Sequence, residues 1–235
     1  MKLLFVQHDK KFIDFMIPKL IPLGVELYKA ETKQEVYDWL KNRDNNSLFF
    51  NITQETIHWL DFISELKDSD KDEKLKIAVY LPKDNHKCLR KLYKYGITAL
   101  IYRSSIQDHV TTQMLSIIRY LEHEGERRGH VRVEVEDNED FRIEFNFKGT
   151  FINVPVFAIS TVALSFKPTD NTLFEITEKK EIITGIKLII HDKTIEFEAI
   201  IARSNHMVAL MFVNLKQDFL NVVCNFIFDK LNHNS

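Results

Sequence analysis

Cysteine is scarce in this chain, which has 235 residues and two cysteines. Cys88 and Cys224 lie far apart, with no CxxC spacing and no cluster of histidines beside either one. A disulfide framework or a structural zinc site needs more such ligands at closer spacing. We therefore expect no metal and no disulfide, a composition that suits the reducing cytoplasm. Cys88, on a helical pattern, is expected to be a half-exposed thiol.

Long apolar segments are also missing from the sequence. The apolar run Met1 to Val6 ends at Gln7, and no later stretch reaches the roughly 18 uncharged apolar residues of a membrane helix. The sequence therefore predicts neither a signal peptide nor a membrane span.

Neither sign of charge is in excess, because 32 Lys and Arg residues face 34 Asp and Glu residues and leave a formal net charge of −2. This balance disfavours a broadly basic nucleic-acid-binding protein. Hydrophobic residues make up 45% of the chain and charged residues 28%, which are ordinary values for a globular protein and exclude wholesale disorder.

The first half of the chain alternates short apolar runs with helical patterns, which is typical of a parallel sheet covered by helices. Thr32 and Glu35 form a predicted capping box at the start of one helix, and Pro18 and Pro22 are expected to shorten or kink the first helix. The predicted strands are 3–6, 25–30, 48–52, 77–81 and 99–102. The sequence thus predicts a doubly wound α/β domain with five parallel strands over residues 1–124.

After residue 128 the apolar period changes from 3.6 to 2, beginning with Val131, Val133 and Val135, which alternate with charged residues. Turn signals recur at short intervals, which indicates several short antiparallel strands. Phe219, Val222, Val223, Phe226 and Ile227 then form the apolar stripe of a helix. Residues 125–235 are therefore predicted to form a small antiparallel β-barrel with a C-terminal helix.

The first half resembles the receiver domain of two-component response regulators. That family uses an acidic pair after the first strand, a phosphoacceptor aspartate ending the third strand, a Ser or Thr after the fourth and a Lys after the fifth. Here these positions fall on Gln7 and His8, Asn51, Tyr80 and Arg103. A carboxamide neither attacks an acyl phosphate nor supplies the anionic oxygen that Mg²⁺ prefers. The resemblance therefore implies a phosphorylation-incompetent pseudo-receiver, used as a scaffold and for forming a homodimer.

Two alternatives remain open at this end of the sheet. A one-residue shift of register would bring Asp9 into the acidic pair, and His8 could itself bind a metal or accept phosphate. Neither alternative supplies a carboxylate at Asn51.

Three arginines, Arg127, Arg128 and Arg132, lie within six residues at the junction, and Ser160 lies in a later strand-like run. This resembles the PilZ family, whose cyclic di-GMP sites combine an RxxxR segment before the barrel with a later (D/N)xSxxG. Arg128 and Arg132 match the first motif, and Arg127 adds a third guanidinium. Guanidinium groups bind phosphate oxygens bidentately and pair with guanine O6 and N7.

The second motif is matched only at Ser160, because Ala158 and Ala163 stand where the family has an Asp or Asn and a Gly. Alanine in place of the acid leaves a guanine donor unpaired, at a cost of about 1 to 3 kcal/mol. The two replacements are expected to weaken binding roughly 10- to 1000-fold. Asn153 and Asp170 are the alternative acceptors.

The resemblances imply a non-catalytic, cytoplasmic bacterial signalling protein that binds cyclic di-GMP and needs no other cofactor. Its predicted ligand residues are Arg127, Arg128, Arg132 and Ser160. The alternative is an adaptor that has lost the dinucleotide and works through an unidentified protein partner. We expect no enzymatic activity, since His191-Asp192-Lys193 indicates a hairpin turn with no nucleophile at a fixed offset.

Overall fold

The computed structural model describes residues 1–42, 46–53, 55–70, 74–81, 86–102, 107–122, 129–136, 139–168, 182–204 and 207–233. The chain divides into two compact units, one holding most of residues 1–129 and the other most of residues 130–230. Arg103, Arg127, Arg128 and Asp170, which the sequence analysis singled out, lie outside the described residues.

The first unit is a parallel sheet of five strands in the order β2-β1-β3-β4-β5. Its strands are β1 Lys2–Val6, β2 Glu26–Ala30, β3 Ser47–Asn51, β4 Lys76–Leu81 and β5 Ala99–Tyr102. Its helices are α1 Lys10–Leu20, α2 Lys33–Leu40, α3 Trp59–Ser69, α4 His86–Lys94 and α5 Gln107–Glu122. Every residue of β3 is buried, as expected for a central strand covered on both faces. The predicted doubly wound α/β fold is confirmed.

One local prediction in this unit, the half-exposed thiol of Cys88, was wrong. Pro18 lies inside α1, which continues to Leu20 before a 3₁₀ turn over Ile21–Leu23. Burial of Met16, Ile17 and Leu20 offsets the single helical N–H donor that Pro18 lacks. Cys88 is buried rather than half-exposed, because it belongs to the apolar core of the first unit.

The second unit is an antiparallel β-barrel. Its strands are β6 Arg132–Glu134, β7 Phe141–Phe147, β8 Thr150–Ser160, β9 Ala163–Phe166, β10 Ile182–Ile190, β11 Lys193–Ser204 and β12 Val208–Val213. Strands β7 to β12 form a closed ring of six, because β8 pairs with both β7 and β9. The short strand β6 pairs with the second half of β8. The predicted small barrel is confirmed.

Tight hairpins connect the strands where the sequence predicts turns. Lys148 and Gly149 join β7 to β8 with φ values of 46° and 84°, the positive values that a two-residue hairpin of type I′ requires. His191 and Asp192 join β10 to β11, since Ile190 pairs with Lys193. The prediction that this segment is a turn is confirmed.

The C-terminal helix α6, Gln217–His233, packs on the barrel through aromatic side chains. The ring of Phe219 lies 5.1 Å from that of Phe197 and 5.0 Å from that of Phe212, and Phe226 lies 4.4 Å from Phe141. Among the described residues, no helix is both long enough and apolar enough to cross a membrane.

Candidate functional site

Strands β6, β8 and β9 lie side by side, and their register decides which side chains share the outer face of the barrel. Arg132 pairs with Ser160 and Glu134 with Ala158 across β6 and β8, while Ala158 pairs with Ser165 across β8 and β9. Directly opposite residues point to the same side of a sheet, so these five side chains share one face. The alternate residues Val133, Ile159 and Leu164 are buried on the other face.

The guanidinium of Arg132 crosses β8 on this outer face. Its Nη2 donates a hydrogen bond to the Oγ of Ser165 at 3.1 Å. Because Ser165 pairs with Ala158 rather than with Ser160, the side chain runs diagonally over Ala158. Ala158 is accordingly only 1% exposed although it lies on the outer face. Its small methyl group leaves room for the arginine to pass.

Arg132 retains most of its capacity to bind an anion. The Ser165 hydroxyl is neutral and engages one of the five N–H groups of the guanidinium. Within the described parts of the chain, Arg132 forms no ion pair with a carboxylate, whereas Arg142 on β7 pairs with Asp140 at 2.5 Å. Among the described residues, Arg132 on the outer face of β6, β8 and β9 is therefore a cation that forms no ion pair, although Glu134 shares the face.

Ser160 has a structural role in the turn between β8 and β9. Its Oγ accepts hydrogen bonds from the backbone N–H of Ala163 at 3.2 Å and of Val162 at 3.4 Å, and it donates to the carbonyl of Ala163 at 3.1 Å. Ser160 and Arg132 are thus cross-strand neighbours, but the serine that contacts the guanidinium is Ser165.

Of the two acceptors proposed to replace the missing acid, only Asn153 lies among the described residues. Its Nδ2 donates to Glu144 on β7 at 3.2 Å, and it lies five residues before Ala158, a distance of about 16 Å along a strand. Asn153 therefore does not reach the Arg132 face. Glu134 does, because it is exposed and directly opposite Ala158.

Sequence reasoning missed Glu134 and Ser165 as members of the site. The alternation of residues 131–135 carries the signal for Glu134, since it places Arg132 and Glu134 on one face of β6. No comparable signal exists for Ser165, because a strand pattern does not state which residues meet across strands.

In the first unit, the carboxyl ends of β1 and β3 bring together three of the predicted receiver positions, Gln7, His8 and Asn51. Gln7 follows β1 with a φ of 60°, and its Nε2 donates to the carbonyl of Glu31. Asn51 ends β3, is buried, and donates from Nδ2 to the carbonyl of Gln7 at 3.0 Å. The amide at Asn51 thus links two strand ends by donating a hydrogen bond, which a carboxylate cannot do.

Aromatic rings occupy the space beside these positions. The imidazole of His8 stacks on Phe12 and on Phe49 with centroid distances of 4.6 Å, and Tyr80 lies 6.2 Å away. His8 Nε2 is 3.2 Å from the carbonyl oxygen of Phe49. The carboxylate of Asp9 caps α1 instead of forming an acidic pair here, because its Oδ1 accepts a hydrogen bond from the N–H of Phe12 at 2.9 Å. Among the described residues, the side chains beside Gln7 and Asn51 at this end of the sheet thus include an aromatic cluster of His8, Phe12, Phe49 and Tyr80.

Comparisons with known proteins give matches only among solved structures. No protein-family profile and no curated protein matches the chain. The PilZ domain of YcgR from Escherichia coli, solved with c-di-GMP, aligns with a TM-score of 0.40 and 10% identity over 45% of this chain and 92% of that chain. MrkH from K. pneumonia in its apo state aligns with a TM-score of 0.41 and 12% identity. The alignment covers 46% of this chain and about half (51%) of MrkH.

A further match is the CheY-like protein TadZ from Pseudomonas aeruginosa, with a TM-score of 0.41 and 11% identity over 52% of this chain and 98% of that chain. The solved structures to which the chain is similar thus include PilZ domains and a CheY-like protein.

Proposed function

We propose that the chain is a non-catalytic bacterial signalling protein that binds cyclic di-GMP on the outer face of β6, β8 and β9, and that its first unit is a pseudo-receiver. The observation that carries the proposal is the guanidinium of Arg132, which lies across Ala158 with a neutral hydroxyl as its partner. A cation presented in this way can pair with an anion without first giving up a carboxylate.

Cyclic di-GMP offers two kinds of group to this face. Its phosphates accept bidentate hydrogen bonds from a guanidinium, and its guanines offer O6 and N7 to the same group. Arg132 supplies one such fork. By the resemblance of the sequence, Arg127 and Arg128 supply two more from the segment just before β6.

Glu134 is the proposed acceptor for a guanine edge. Guanine carries N–H donors on its Watson–Crick edge, and an ionised carboxylate accepts such bonds strongly. Glu134 lies directly across the sheet from Ala158, where the family motif has its acid. Glu134 on β6 would thus take the role that the family motif gives to an acid on β8.

The pseudo-receiver half of the proposal is supported by the carboxyl ends of β1 and β3. Gln7, His8 and Asn51 replace the three acids that phosphoryl transfer needs, and Asn51 is engaged as a hydrogen-bond donor to Gln7. The first unit then serves as a scaffold or as a surface for a homodimer or another protein partner.

Isothermal calorimetry of the full chain with cyclic di-GMP tests the ligand. Arg132→Ala should raise Kd at least about tenfold, because it removes a charge-assisted pair worth about 1.4 kcal/mol or more. Arg142→Ala is the matched control, since it removes a barrel arginine already paired with Asp140 and should leave Kd unchanged. Equal affinity of Arg132→Ala and wild type would refute the proposed site.

A protein adaptor without a nucleotide is the second candidate function, and Ser160 favours it. The hydroxyl that the family motif offers is committed here to Val162 and Ala163. The calorimetric experiment separates the two functions when Ala158→Asp is included. No heat from the wild type, with heat gained in Ala158→Asp, would show a disabled pocket and favour the adaptor.

A further inference from the structure

A buried lysine near the end of α6 holds the turn that follows β6. The side chain of Lys230 is 10% exposed, and its ammonium lies 3.1 Å from Oε1 of Glu136 and 3.0 Å from Oε2 of Glu139. Burial acts to lower the pKa of Lys230, but the hydrogen bonds and charges of Glu139 and Glu136 outweigh it and hold this pKa above its usual value. The amine is therefore charged and paired with two carboxylates.

The two glutamates are hydrogen-bonded to each other, and this bonded Glu136–Glu139 pair is called the turn below. Oε2 of Glu139 accepts from the N–H of Glu136 at 3.0 Å, and the N–H of Glu139 donates to the carbonyl of Glu136 at 3.0 Å. One carboxylate thus closes the turn and binds the ammonium. Phe226, one helical turn before Lys230, packs on Phe141 just beyond the turn, so a single face of α6 makes both contacts.

Strand β6 is a short edge strand. It has three residues, it pairs with β8 in the described part of the chain, and the N–H of Val135 adds one bond to the carbonyl of Phe157 at 2.9 Å. Burial of Val131, Val133 and Val135 and the bond from Arg132 to Ser165 also hold it on the barrel. Short edge segments with few hydrogen bonds open locally at a low free-energy cost. The contacts of Glu136 and Glu139 with Lys230 therefore add a restraint where β6 ends.

We propose that Lys230 is a positioning residue for the ligand site. By holding Glu136 and Glu139 against α6, it keeps β6 in register with β8. It thereby keeps Arg132, which lies on β6, in place. Since such coupling is reciprocal, a ligand held by Arg132 stabilises the contact of Lys230 with the turn. The ligand part rests on the proposed function, whereas the restraint on β6 exists without ligand and is tested separately.

Hydrogen exchange of the full chain without ligand tests the restraint. Lys230→Met keeps the apolar stem and removes the charge. It should speed exchange of the Val133 and Val135 amides, which face β8, by about tenfold or more. Lys230→Arg should restore slow exchange. Lys187→Met is the control, since this exposed lysine on β10 lies opposite Glu144 and Glu196, and it should leave the Val133 and Val135 amides at the wild-type rate. The β10–β11 ladder should exchange at the wild-type rate in both Lys230 variants.

The same variants are then titrated with cyclic di-GMP. Lys230→Met should raise Kd severalfold, and ligand should slow exchange around residues 226–233 of the wild type. Unchanged exchange of the Val133 and Val135 amides in Lys230→Met would overturn the proposal, and so would equal acceleration of every amide, which is general destabilisation. Faster exchange confined to β6 in a chain that binds no cyclic di-GMP would support the restraint and refute the proposed function instead.

Discussion

At the scale of single residues, the contact between Arg132 and Ser165 determines how a cation is held on the barrel. The arginine crosses β8 because Ala158 is small, and the hydroxyl of Ser165 meets it on the far side at 3.1 Å. A long side chain fixed before the ligand arrives loses less entropy on binding. Substitution of Ser165 should therefore change the affinity of the proposed site without altering its charge.

Ser165→Ala should weaken cyclic di-GMP binding while the fold is retained. Freezing a flexible side chain costs about 0.5 to 1.5 kcal/mol, so Kd should rise roughly 2- to 10-fold. Ser116→Ala is a suitable control, because this exposed hydroxyl bonds only to the carbonyl of Thr112 one turn earlier on α5. Calorimetry measures the change, and an unaltered Kd in Ser165→Ala would show that the hydroxyl does not orient Arg132.

Glu134 and Ala158 can be tested by moving the carboxylate between two facing positions. Glu134→Ala should raise Kd by about tenfold, as expected for the loss of a charged hydrogen bond. The double variant Glu134→Ala with Ala158→Asp should regain affinity, because it returns an acid to the same face from the opposite strand.

Glu196→Ala, on the outer face of β11, serves as the charge-matched control for that pair. A Glu134→Ala variant that binds like the wild type would remove Glu134 from the site, whatever the double variant does.

Residue identities in the site were only partly accessible from the sequence. Arg132 followed from its spacing to Arg128, and the period of two places Glu134 beside it. Ser165 could not be found in this way, because the register between β8 and β9 shifts between Val156 and Ala158. Such a bulge changes which residues face each other, and it depends on the packing of the whole barrel.

At the scale of elements, short-range chemistry predicted the structure well. Thr32 and Glu35 form the predicted capping box of α2, in which each side chain is bonded to the backbone N–H of the other residue. The end of α4 before Gly96, which has a φ of 61°, likewise follows from a local signal. Cys88 shows the limit of local reasoning, since its burial depends on the packing of the whole first unit.

The capping box predicts a pH-dependent contribution to stability. Hydrogen bonds from the backbone of Glu31 and of Thr32 lower the pKa of Glu35. A carboxylate with a lowered folded pKa stabilises the protein above its unfolded value of about 4.3, and this stabilisation is lost as pH falls through the folded value. Urea unfolding should therefore show a larger deficit for Glu35→Gln at pH 7 than near pH 3.

Thr32→Ala provides the comparison for the same helix. It should lower the free energy of unfolding by about 1 kcal/mol at pH 7, because it removes the other half of the cap. Its deficit should depend less on pH than that of Glu35→Gln, since the Thr32 side chain is a minor cause of the lowered pKa of Glu35. A Glu35→Gln deficit that is equal at both pH values would contradict the assignment.

At the scale of the whole molecule, the two units differ in what they offer a ligand. Beside the ends of β1 and β3 in the first unit, His8 stacks on Phe12 and Phe49, whereas the outer face of the barrel presents Arg132. The proposed response to a small molecule therefore belongs to the second unit. Phosphoryl donors should have no effect on it.

Acetyl phosphate with Mg²⁺ tests this division of roles on the full chain. Mass spectrometry should detect no acyl phosphate, and the Kd for cyclic di-GMP should be the same with and without the donor. Asn51→Asp should also stay unmodified, since Gln7 and His8 still provide no acidic pair for Mg²⁺. A phosphate on the wild-type chain that is labile to alkali and hydroxylamine would show that another carboxylate, such as Asp9, has taken the role of acceptor.

The most direct measurement is an NMR titration of the arginine side chains with cyclic di-GMP. The Nε–H resonance of Arg132 is assigned by its loss in Arg132→Lys and then followed as ligand is added. Binding at the proposed site should give a saturable shift of the Arg132 resonance, while that of Arg142, paired with Asp140, stays in place. An Arg132 resonance that does not move at saturating ligand would contradict it.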